Sequence, residues 1–266
     1  MSEDDCVLRE LDADGVLLIT LNRPQRKNAF NEAQWHGLGN ALTEAREDPR
    51  VAACVLTGAG GNFSSGVDLA SFGGGDTSQA SGEIASGFDH CVASIFAFDK
   101  PLLASVEGVA VGGGCTIAVA SDIVYVGESV RMRLPFANLG LVPEIASSYT
   151  LQAQIGRQRA AELMFSAEWI DATRAVDVGM AAARFPDEEV LGATLARARE
   201  IAQWPVSALR GIKRTLMEAH RAGIQAALEV ETVEMRRQAG SPENIEAITA
   251  FMQKRAPDFK QFRKKS

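Results

Sequence analysis

The sequence predicts an α/β protein whose final third is almost entirely helical. Residues 16–21 (VLLITL) and 53–57 (ACVLT) are short runs of branched apolar residues, which are typical of buried strands. An amphipathic helical pattern begins near Asn31, between these two runs. Strand, helix and strand in that order predict a parallel crossover, and the helical pattern from Glu188 onward predicts a helical region at the end.

The first predicted helix has both a start signal and an apolar stripe. Asn31, with Gln34 three residues later, resembles a capping box, in which two side chains satisfy main-chain N–H groups at the helix start. Trp35, Leu38 and Leu42 then recur at the spacing of one helix face. We therefore expect this helix to bury that face against the predicted strands.

The middle of the chain continues to alternate between strands and helices. Strands are predicted at residues 102–106 and 123–126, and helices at residues 88–98, 115–120, 160–163 and 172–178, with a glycine-rich turn at residues 108–114. Residues 71–87 consist mostly of Gly, Ser and Ala and offer too little apolar surface to order themselves. A mobile loop beside a site and a surface linker without a role are equally compatible with that composition.

The last third is divided by helix breakers. Breaks are predicted at Pro205, Gly211, Gly223 and Gly240. Ser241 as N-cap, with Pro242 at the first helical position, predicts the start of a final helix. We therefore divide the chain into an α/β body at residues 1–187 and a C-terminal helical region at residues 188–266.

The composition is that of a globular protein and argues against several kinds of function. The 266 residues are 46% hydrophobic, and 27 basic against 34 acidic residues give a net charge of −7, which does not favour nucleic-acid binding. The three histidines are scattered and the four cysteines form no CxxC pair, so no metal site is predicted. No apolar run approaches the length of a membrane span, and the acidic start MSEDD lacks the features of a signal peptide. We therefore expect a cytoplasmic protein with reduced thiols.

Two glycine-containing turns can bring main-chain N–H groups close to a ligand. One is FSSGVDL at residues 63–69, and the other is GGG at residues 112–114, directly before a predicted helix. Glycine lets a ligand approach the main chain, and a helix N-terminus favours developing negative charge. Two such N–H groups aimed at one point form an oxyanion hole, although each turn taken alone is more typical of tight packing.

Four motifs resemble those of the crotonase (enoyl-CoA hydratase/isomerase) family and occur in the family's order. They are LNRPQRKNAF at residues 21–30, VLTGAGGNFSSGVDL at residues 55–69, KPLLASVEGVAVGGGCTIAVASDI at residues 100–123 and GRQRAAELMFSAEWIDATRAVDVGM at residues 156–180. The resemblance implies a crotonase-like spiral of ββα units with a C-terminal helical trimerisation region. It also implies a homotrimer or a dimer of trimers, and a coenzyme A thioester as the substrate carrier with no permanently bound cofactor.

The resemblance further implies roles for particular residues. The thioester oxygen would be held by the main-chain N–H groups of Val67 and Gly113. Coenzyme A contacts map onto Arg26, Lys27, Ser65, Gly66, Asp68, Leu69, Phe251 and Lys254. The last two would reach the site from a C-terminal helix, of the same chain or of a neighbouring subunit. Without the resemblance, Lys254 would be interpreted as part of a solvated helix face.

The chain departs from the family's hydratases at both of their catalytic glutamates. One family position, two residues after the glycine turn, is Thr116 here, and the other, directly after Pro135, is Phe136. Addition of water needs one group to activate the water and another to relay the proton. Thr116 and Phe136 cannot do this acid–base work at neutral pH.

Glu144 is the predicted catalytic residue. It lies in PFANLGLVPEIASSYT, residues 135–150, which resembles the Δ3,Δ2-enoyl-CoA isomerase branch, and it stands at the position of that branch's catalytic glutamate. Its neighbours Val142, Pro143 and Ile145 are apolar, and an apolar pocket raises the pKa of a carboxyl group. The alternative is a glutamate that only stabilises a helix N-terminus after Pro143.

The predicted function is therefore an enoyl-CoA isomerase that shifts the double bond of a 3-enoyl-CoA to the 2-position with one carboxylate. A hydratase that uses Glu144, Glu107, Asp68 or Glu128 is one alternative. A non-catalytic acyl-CoA-binding protein of the same fold is another, because fold alone does not fix function. The carboxylate at position 144 favours the isomerase over a protein that has lost catalysis.

Overall fold

A computed structural model of the chain describes residues 6–68 and 86–263. Its strands are β1 (Val7–Leu11), β2 (Val16–Leu21), β3 (Ala53–Gly58), β4 (Leu102–Val106), β5 (Val109–Val111), β6 (Ile123–Gly127), β7 (Arg131–Arg133) and β8 (Ala183–Phe185). Its helices are α1 (Glu32–Glu47), α2 (Gly87–Ala97), α3 (Gly113–Ala120), α4 (Ser147–Ile155), α5 (Arg157–Ser166), α6 (Ala172–Val178), α7 (Asp187–Ala202), α8 (Val206–Glu218), α9 (Arg221–Gln238) and α10 (Pro242–Met252). Short 3-10 turns lie at Pro24–Arg26, Ala137–Leu139 and Phe259–Phe262.

A six-stranded sheet in the order β1-β2-β3-β4-β6-β8 is the centre of the fold. β1 runs antiparallel to β2, and the other neighbouring strands are parallel. β5 and β7 form a second, parallel pair. Every residue of β3 and β4 is buried, which explains why these strands are continuous apolar runs rather than alternating ones.

Helices cover both faces of this sheet. The main core joins one face to α1, through residues such as Leu38 and Leu42 packed with Ile19 and Leu56. On the other face, Val55 packs in a smaller cluster with residues of α7. Because successive strand residues point to opposite faces, Val55 and Leu56 belong to different clusters.

The capping prediction for α1 is half confirmed. The Asn31 side chain accepts a hydrogen bond from the Gln34 N–H at 3.0 Å, as an N-cap does. The Gln34 side chain, however, donates to the Cys6 carbonyl at 3.4 Å, instead of returning to the helix start. The sequence signal therefore located the helix start correctly, while a tertiary contact took the second side chain.

The predicted strands and helices are present, with differences at short or half-exposed elements. The strand β1 was missed because its alternate residues are partly exposed and include Arg9 and Glu10, which interrupt the apolar run. The strand β5 lies inside the segment predicted as a glycine-rich turn at residues 108–114. The helix predicted from Cys115 begins at Gly113. Three-residue strands carry too little periodicity to be recognised from sequence.

Two of the predicted helix breaks are wrong. Gly211 lies inside α8 and Gly223 inside α9, whereas Pro205 and Gly240 do stand between helices. A glycine in a helix interior costs only about 1 kcal/mol relative to alanine, so the surrounding residues can carry the helix through it. Packing also favours Gly223, because a Cβ atom there would lie 2.3 Å from the Tyr149 ring.

The C-terminal helices extend back to the centre of the chain. α9 packs against α4, and α10 packs against the turn at Ala137–Leu139. The segment between them, residues 137–147, is the one that contains Glu144. The helical end of the chain therefore supports a loop of the α/β body, and the division at residue 188 stays a prediction.

Candidate functional site

The turn at residues 63–68 is held on two sides. Toward the second sheet, Ser64 exchanges main-chain hydrogen bonds with Val109 and Val111, each at 2.9 Å. Toward the 21–30 motif, the Ser64 hydroxyl donates to the Asn28 carbonyl at 2.8 Å. The Ser64 hydroxyl also accepts from the Gly66 N–H at 3.1 Å, which fixes the turn from inside.

Gly66 brings this turn against the start of α3. Its φ of +87° lies in the left-handed region, and a Cβ atom there would be 2.5 Å from the Val111 carbonyl oxygen. The same Cβ position is 3.6 Å from the Gly113 nitrogen, so the two glycine turns predicted from sequence are in direct contact. No other residue fits at position 66 without moving one of the two turns.

Val67 and Gly113 each have an N–H group available beside this contact. Phe30 bridges the Val67 segment by donating to the Gly66 carbonyl at 2.7 Å and accepting from the Asp68 N–H at 2.9 Å. This pattern leaves the Val67 N–H outside the bridge. Gly113 is the first residue of α3, where N–H groups lack an intrahelical acceptor. Within the described residues, neither N–H group donates a hydrogen bond.

Glu144 lies directly against Gly113. A Cβ atom on Gly113 would be 3.1 Å from Glu144 Oε1 and 3.2 Å from Trp35 Cη2. Trp35 is buried, stacks on Phe30 with ring centroids 4.0 Å apart, and meets the edge of Phe88 at 5.1 Å. A carboxyl group, a free N–H group and an aromatic wall therefore converge at one point.

Burial changes the acidity of Glu144. The residue keeps a partly exposed side chain, while its carboxyl group lies deep among protein atoms. Desolvation, and secondly the negative charge of Glu231, raise the pKa of Glu144 from 4.5 to about 7. A carboxyl group with that pKa can accept and return a proton near neutral pH.

The main chain after Glu144 is in an unusual conformation. Ile145 (φ 56°) and Ala146 (φ 52°) are consecutive non-glycine residues in the left-handed region, which costs about 1–2 kcal/mol for each residue. The Glu231 carboxylate accepts from the Ala146 N–H at 2.8 Å and from the Ser148 N–H at 2.9 Å. A side chain of α9 therefore holds the strained turn from outside.

The preceding part of the same loop is held by α10. The Asn244 side-chain amide donates to the Leu139 carbonyl at 2.7 Å. Gly140 (φ 63°) lies close to the N-terminus of α10, since a Cβ atom there would be 3.0 Å from the Asn244 nitrogen. The loop that carries Glu144 is thus attached to the C-terminal helices on both sides of Glu144.

The two positions at which family hydratases carry glutamate are buried and not acidic in this chain. Thr116 is 1% exposed, and its hydroxyl donates to the carbonyl groups of its own helix at Gly112 and Gly113. Phe136 is 5% exposed and belongs to the main core. Neither side chain can supply acid–base chemistry at this site.

The alternative carboxylates are engaged elsewhere or lie on the surface. Asp68 forms an ion pair with Arg23 at 3.0 Å. Glu107 lies beside Gly127 and Asp187, and burial, with the charge of Asp187 as a second cause, raises the pKa of Glu107. Glu128 is exposed. Of the carboxylates considered from sequence, Glu144 is the one whose carboxyl group is recorded against Gly113.

Several predicted coenzyme A contacts form one exposed edge. The Ser65 N–H donates to the Lys27 carbonyl at 2.9 Å, and the Ser65 hydroxyl donates to the Arg26 carbonyl at 3.2 Å. The side chains of Arg26 and Lys27 are exposed there. These three residues adjoin Gly66 and Asp68, whereas Leu69 lies outside the described residues.

Phe251 and Lys254, the other two predicted coenzyme A contacts, belong to the C-terminal helical region. Phe251 is 60% exposed at the end of α10, and Lys254 (φ 54°) follows the helix. α10 packs against the turns at Ala137–Leu139 and Phe259–Phe262. Their predicted contact with coenzyme A stays a prediction.

Two residues of the site were not identified from sequence. Trp35 was assigned only to the apolar stripe of α1, because a core residue and a pocket wall have the same pattern. Glu231 shares the buried face of α9 with Ile224 and Ala227, at helical spacing. A carboxylate on an otherwise apolar face is the signal that could have identified Glu231.

Two classes of feature are absent from the part of the chain that the structure describes. Residues 6–68 and 86–263 contain no group of three or more His, Cys, Asp or Glu side chains arranged to hold a metal ion. Over the same residues, no helix combines the length and the apolar character that crossing a membrane requires.

Comparisons with known proteins agree on a family. A sequence model described as "Enoyl-CoA hydratase/isomerase" matches residues 12–263. The "2,3-dehydroadipyl-CoA hydratase" of Escherichia coli (strain K12) is 35% identical over 249 residues, which are 92% of this chain and 95% of that protein. The "Enoyl-CoA delta isomerase 2" of Rattus norvegicus is 32% identical over 240 residues, which are 90% of this chain and 61% of that protein.

A solved structure has the same fold. The crystal structure of an enoyl-CoA hydratase/isomerase from Pseudoalteromonas atlantica T6c matches with a TM-score of 0.90 at 31% identity, over 96% of this chain and 99% of that one. The mostly parallel sheet and the C-terminal helices are common to both. Because similar proteins are named as hydratases and as isomerases, similarity alone does not choose between the two reactions.

Proposed function

This chain belongs to the enoyl-CoA hydratase/isomerase family, and we propose that within it the protein is an enoyl-CoA isomerase that uses Glu144 as its single acid–base group. The proposed reaction moves the double bond of a 3-enoyl-CoA to the 2-position. The observation that carries the proposal is the contact of the Glu144 carboxyl with Gly113, where the other family carboxylates are replaced by Thr116 and Phe136.

The first step is proton removal. The Glu144 carboxylate takes a proton from C2 of the 3-enoyl thioester, and the electron pair of that C–H bond delocalises onto the thioester oxygen to give a dienolate. The pKa of about 7 makes Glu144 a stronger base than an ordinary glutamate. The buried Trp35 ring lies near the same point beside Gly113, and burial is the main cause of the raised pKa.

The second step returns the proton. The N–H groups of Val67 and Gly113 hold the dienolate oxygen, and preorganised donors of this kind lower the energy of developing charge. The protonated Glu144 then delivers its proton to C4, and the double bond remains between C2 and C3. Atoms and charge balance without any added water or cofactor, so one carboxylate is enough.

The test is the substitution Glu144→Gln, assayed with trans-3-hexenoyl-CoA. We expect the isomerisation rate to fall by ~10²–10⁴-fold, the usual effect of losing a general base. Coenzyme A affinity should change little, because its predicted contacts lie on the Arg26–Lys27 edge. Glu107→Gln is the matched control, since burial raises the pKa of Glu107 as well, and it should keep the wild-type rate.

A hydratase is the competing reaction, and it is favoured by the similarity to the E. coli hydratase. Crotonyl-CoA distinguishes the two, because hydration removes the absorbance of the conjugated enoyl thioester. Hydration faster than isomerisation in the wild type would reject the proposed function. Tight coenzyme A binding without turnover of either substrate would instead identify a non-catalytic acyl-CoA-binding protein.

A further inference from the structure

A single buried carboxylate connects α9 to the loop that carries Glu144. Glu231 is 6% exposed, and its neighbours on the buried face of α9, Ile224 and Ala227, pack against Ala146. Both oxygens of Glu231 are used, one by the Ala146 N–H and one by the Ser148 N–H. Burying a charged group costs free energy unless it is hydrogen-bonded, and here the hydrogen bonds come from the main chain of the loop that carries Glu144.

What Glu231 holds is the left-handed turn of Ile145 and Ala146. A β-branched residue such as Ile145 rarely adopts a positive φ, and such a conformation persists only where the surroundings over-determine it. The Ser147 N–H donates to the Glu144 carbonyl at 3.0 Å, so the turn begins at Glu144 itself. The direction of the Glu144 side chain therefore depends on this turn.

The helix that carries Glu231 is fixed against α4 at a second point. Gly223 leaves room for the Tyr149 ring, which would lie 2.3 Å from a Cβ atom at that position. The Tyr149 hydroxyl and His220 Nδ1 are 3.1 Å apart and form a hydrogen bond. α9 therefore contacts α4 at the Gly223 and His220 positions as well as contacting the loop through Glu231.

Glu231 also places a negative charge near Glu144. Burial raises the pKa of Glu231, and the hydrogen bonds that it accepts from Ala146 and Ser148 act in the opposite direction. Toward the Glu144 carboxyl, α1 presents Trp35 and α3 presents Gly113, neither of which is titratable. The other titratable side chains on α4 and α9 are Tyr149, Arg221, Glu229, Glu234, Arg236 and Arg237, with His220 at the start of α9.

We propose that Glu231 is a positioning residue for Glu144: its carboxylate clamps the left-handed turn after Glu144 and thereby fixes the Glu144 carboxyl against Gly113. The inference rests on the proposed function only for its effect on the rate. The clamp consists of the hydrogen bonds that Glu231 accepts from Ala146 and Ser148, and these can be tested without any substrate.

The kinetic test compares two substitutions at position 231. Glu231→Gln removes the charge and offers one acceptor where two are needed, so kcat should fall by about 10²-fold, the effect of misplacing a reacting group by ~1 Å. KM should change little. The acid limb of the rate profile should move to lower pH, because the charge of Glu231 is gone, but it should stay above 4.5, because burial, the larger cause of the raised pKa of Glu144, remains. Glu231→Asp keeps the charge but shortens the reach, so kcat should fall while the acid limb stays.

The matched control is Glu229→Gln. Glu229 is exposed on the same helix, two residues away, and accepts a hydrogen bond from Gln225. The control removes the same charge from the same helix without touching the loop. It should leave kcat and the acid limb unchanged.

A measurement without substrate separates this inference from the proposed function. Carboxyl-carbon NMR titration of Glu144, assigned by comparison with Glu144→Gln, and amide hydrogen exchange at Ala146 and Ser148 report the clamp directly. Glu231→Gln should lower the pKa of Glu144 and speed exchange at both amides. An unchanged titration with protected amides would overturn the positioning role, whether or not the wild type proves to be an isomerase.

Discussion

The raised pKa of Glu144 comes at a cost in free energy to the folded state above pH 4.5. Its pKa is about 7 in the folded chain and 4.5 without the surroundings that desolvate it. Between these values the folded chain binds a proton that the unfolded chain has released. Proton linkage therefore makes the contribution of Glu144 most favourable below pH 4.5, and that contribution is lost as the pH rises through 7.

This linkage predicts that Glu144→Gln stabilises the protein at alkaline pH. At pH 4 the variant and the wild type should have similar free energies of unfolding, because the Glu144 side chain is then mostly neutral in both the folded and the unfolded chain. At pH 8 the variant should be more stable by about 1–3 kcal/mol, since the wild type must keep a buried charge. Urea denaturation at the two pH values measures this, and a difference that does not change with pH would contradict it.

The sequence identifies residues such as Gly66 and Gly113, whose role depends on the motif of their own turn. Gly66 and Gly113 stand in turns whose motifs are recognisable, and the turns meet as their glycines require. Trp35 and Glu231 were not identified, because their roles depend on which element they face after folding. A tryptophan on a helix face has the same pattern whether it fills a core or lines a pocket.

At the scale of elements, periodicity predicted the long helices and central strands. Two glycines were wrongly predicted to end helices, because Gly211 lies inside α8 and Gly223 inside α9. A glycine is a break only where the main chain needs a positive φ or lacks other support. Gly240 (φ 77°) meets that condition. Gly211 and Gly223 do not have a positive φ. Gly211 faces open space, whereas Gly223 packs against the Tyr149 ring.

That difference predicts opposite effects of the same substitution. A Cβ atom at Gly211 would have no heavy atom within 4 Å, so Gly211→Ala should stabilise the protein by about 0.5–1 kcal/mol through helix propensity. A Cβ atom at Gly223 would clash with the Tyr149 ring, so Gly223→Ala should destabilise by about 1–3 kcal/mol. Chemical denaturation of both variants measures the difference. Equal effects would show that α9 does not pack on α4 as described.

At the scale of the whole molecule, α8 and α9 present apolar residues that the single chain does not cover. Ile212 and Leu216 on α8 are 57% and 65% exposed, and Val230 and Val233 on α9 are 63% and 64% exposed. Residues 212 and 216 lie four apart and thus share one helix face. A surface of this kind is typical of a protein–protein interface.

We therefore expect a homo-oligomer packed through these helices, and the family resemblance implies a trimer or a dimer of trimers. Leu216→Glu should dissociate it, because burying a charge in place of a leucine reverses about 1.5–3 kcal/mol of favourable burial in each subunit. Light scattering coupled to size-exclusion chromatography measures the mass. Leu8→Glu, a control on the edge strand β1 where Leu8 is 40% exposed, should leave the assembly intact. A monomeric wild type at micromolar concentration would contradict the expectation.

The distance along the chain between Ala146 and Glu231 has a consequence for synthesis. The two residues that bond are 85 positions apart, and Asn244 bonds to Leu139 across 105 positions. At about 5–20 residues per second, Ala146 is added to the nascent chain roughly 4–17 s before Glu231. From the time β8 has emerged until Glu231 follows, a nascent chain can complete its sheet while the Glu231 carboxylate is not yet present to bond the turn beside Glu144. A chain that ends before α9 would accordingly lack the Glu231 hydrogen bonds to the loop that carries Glu144.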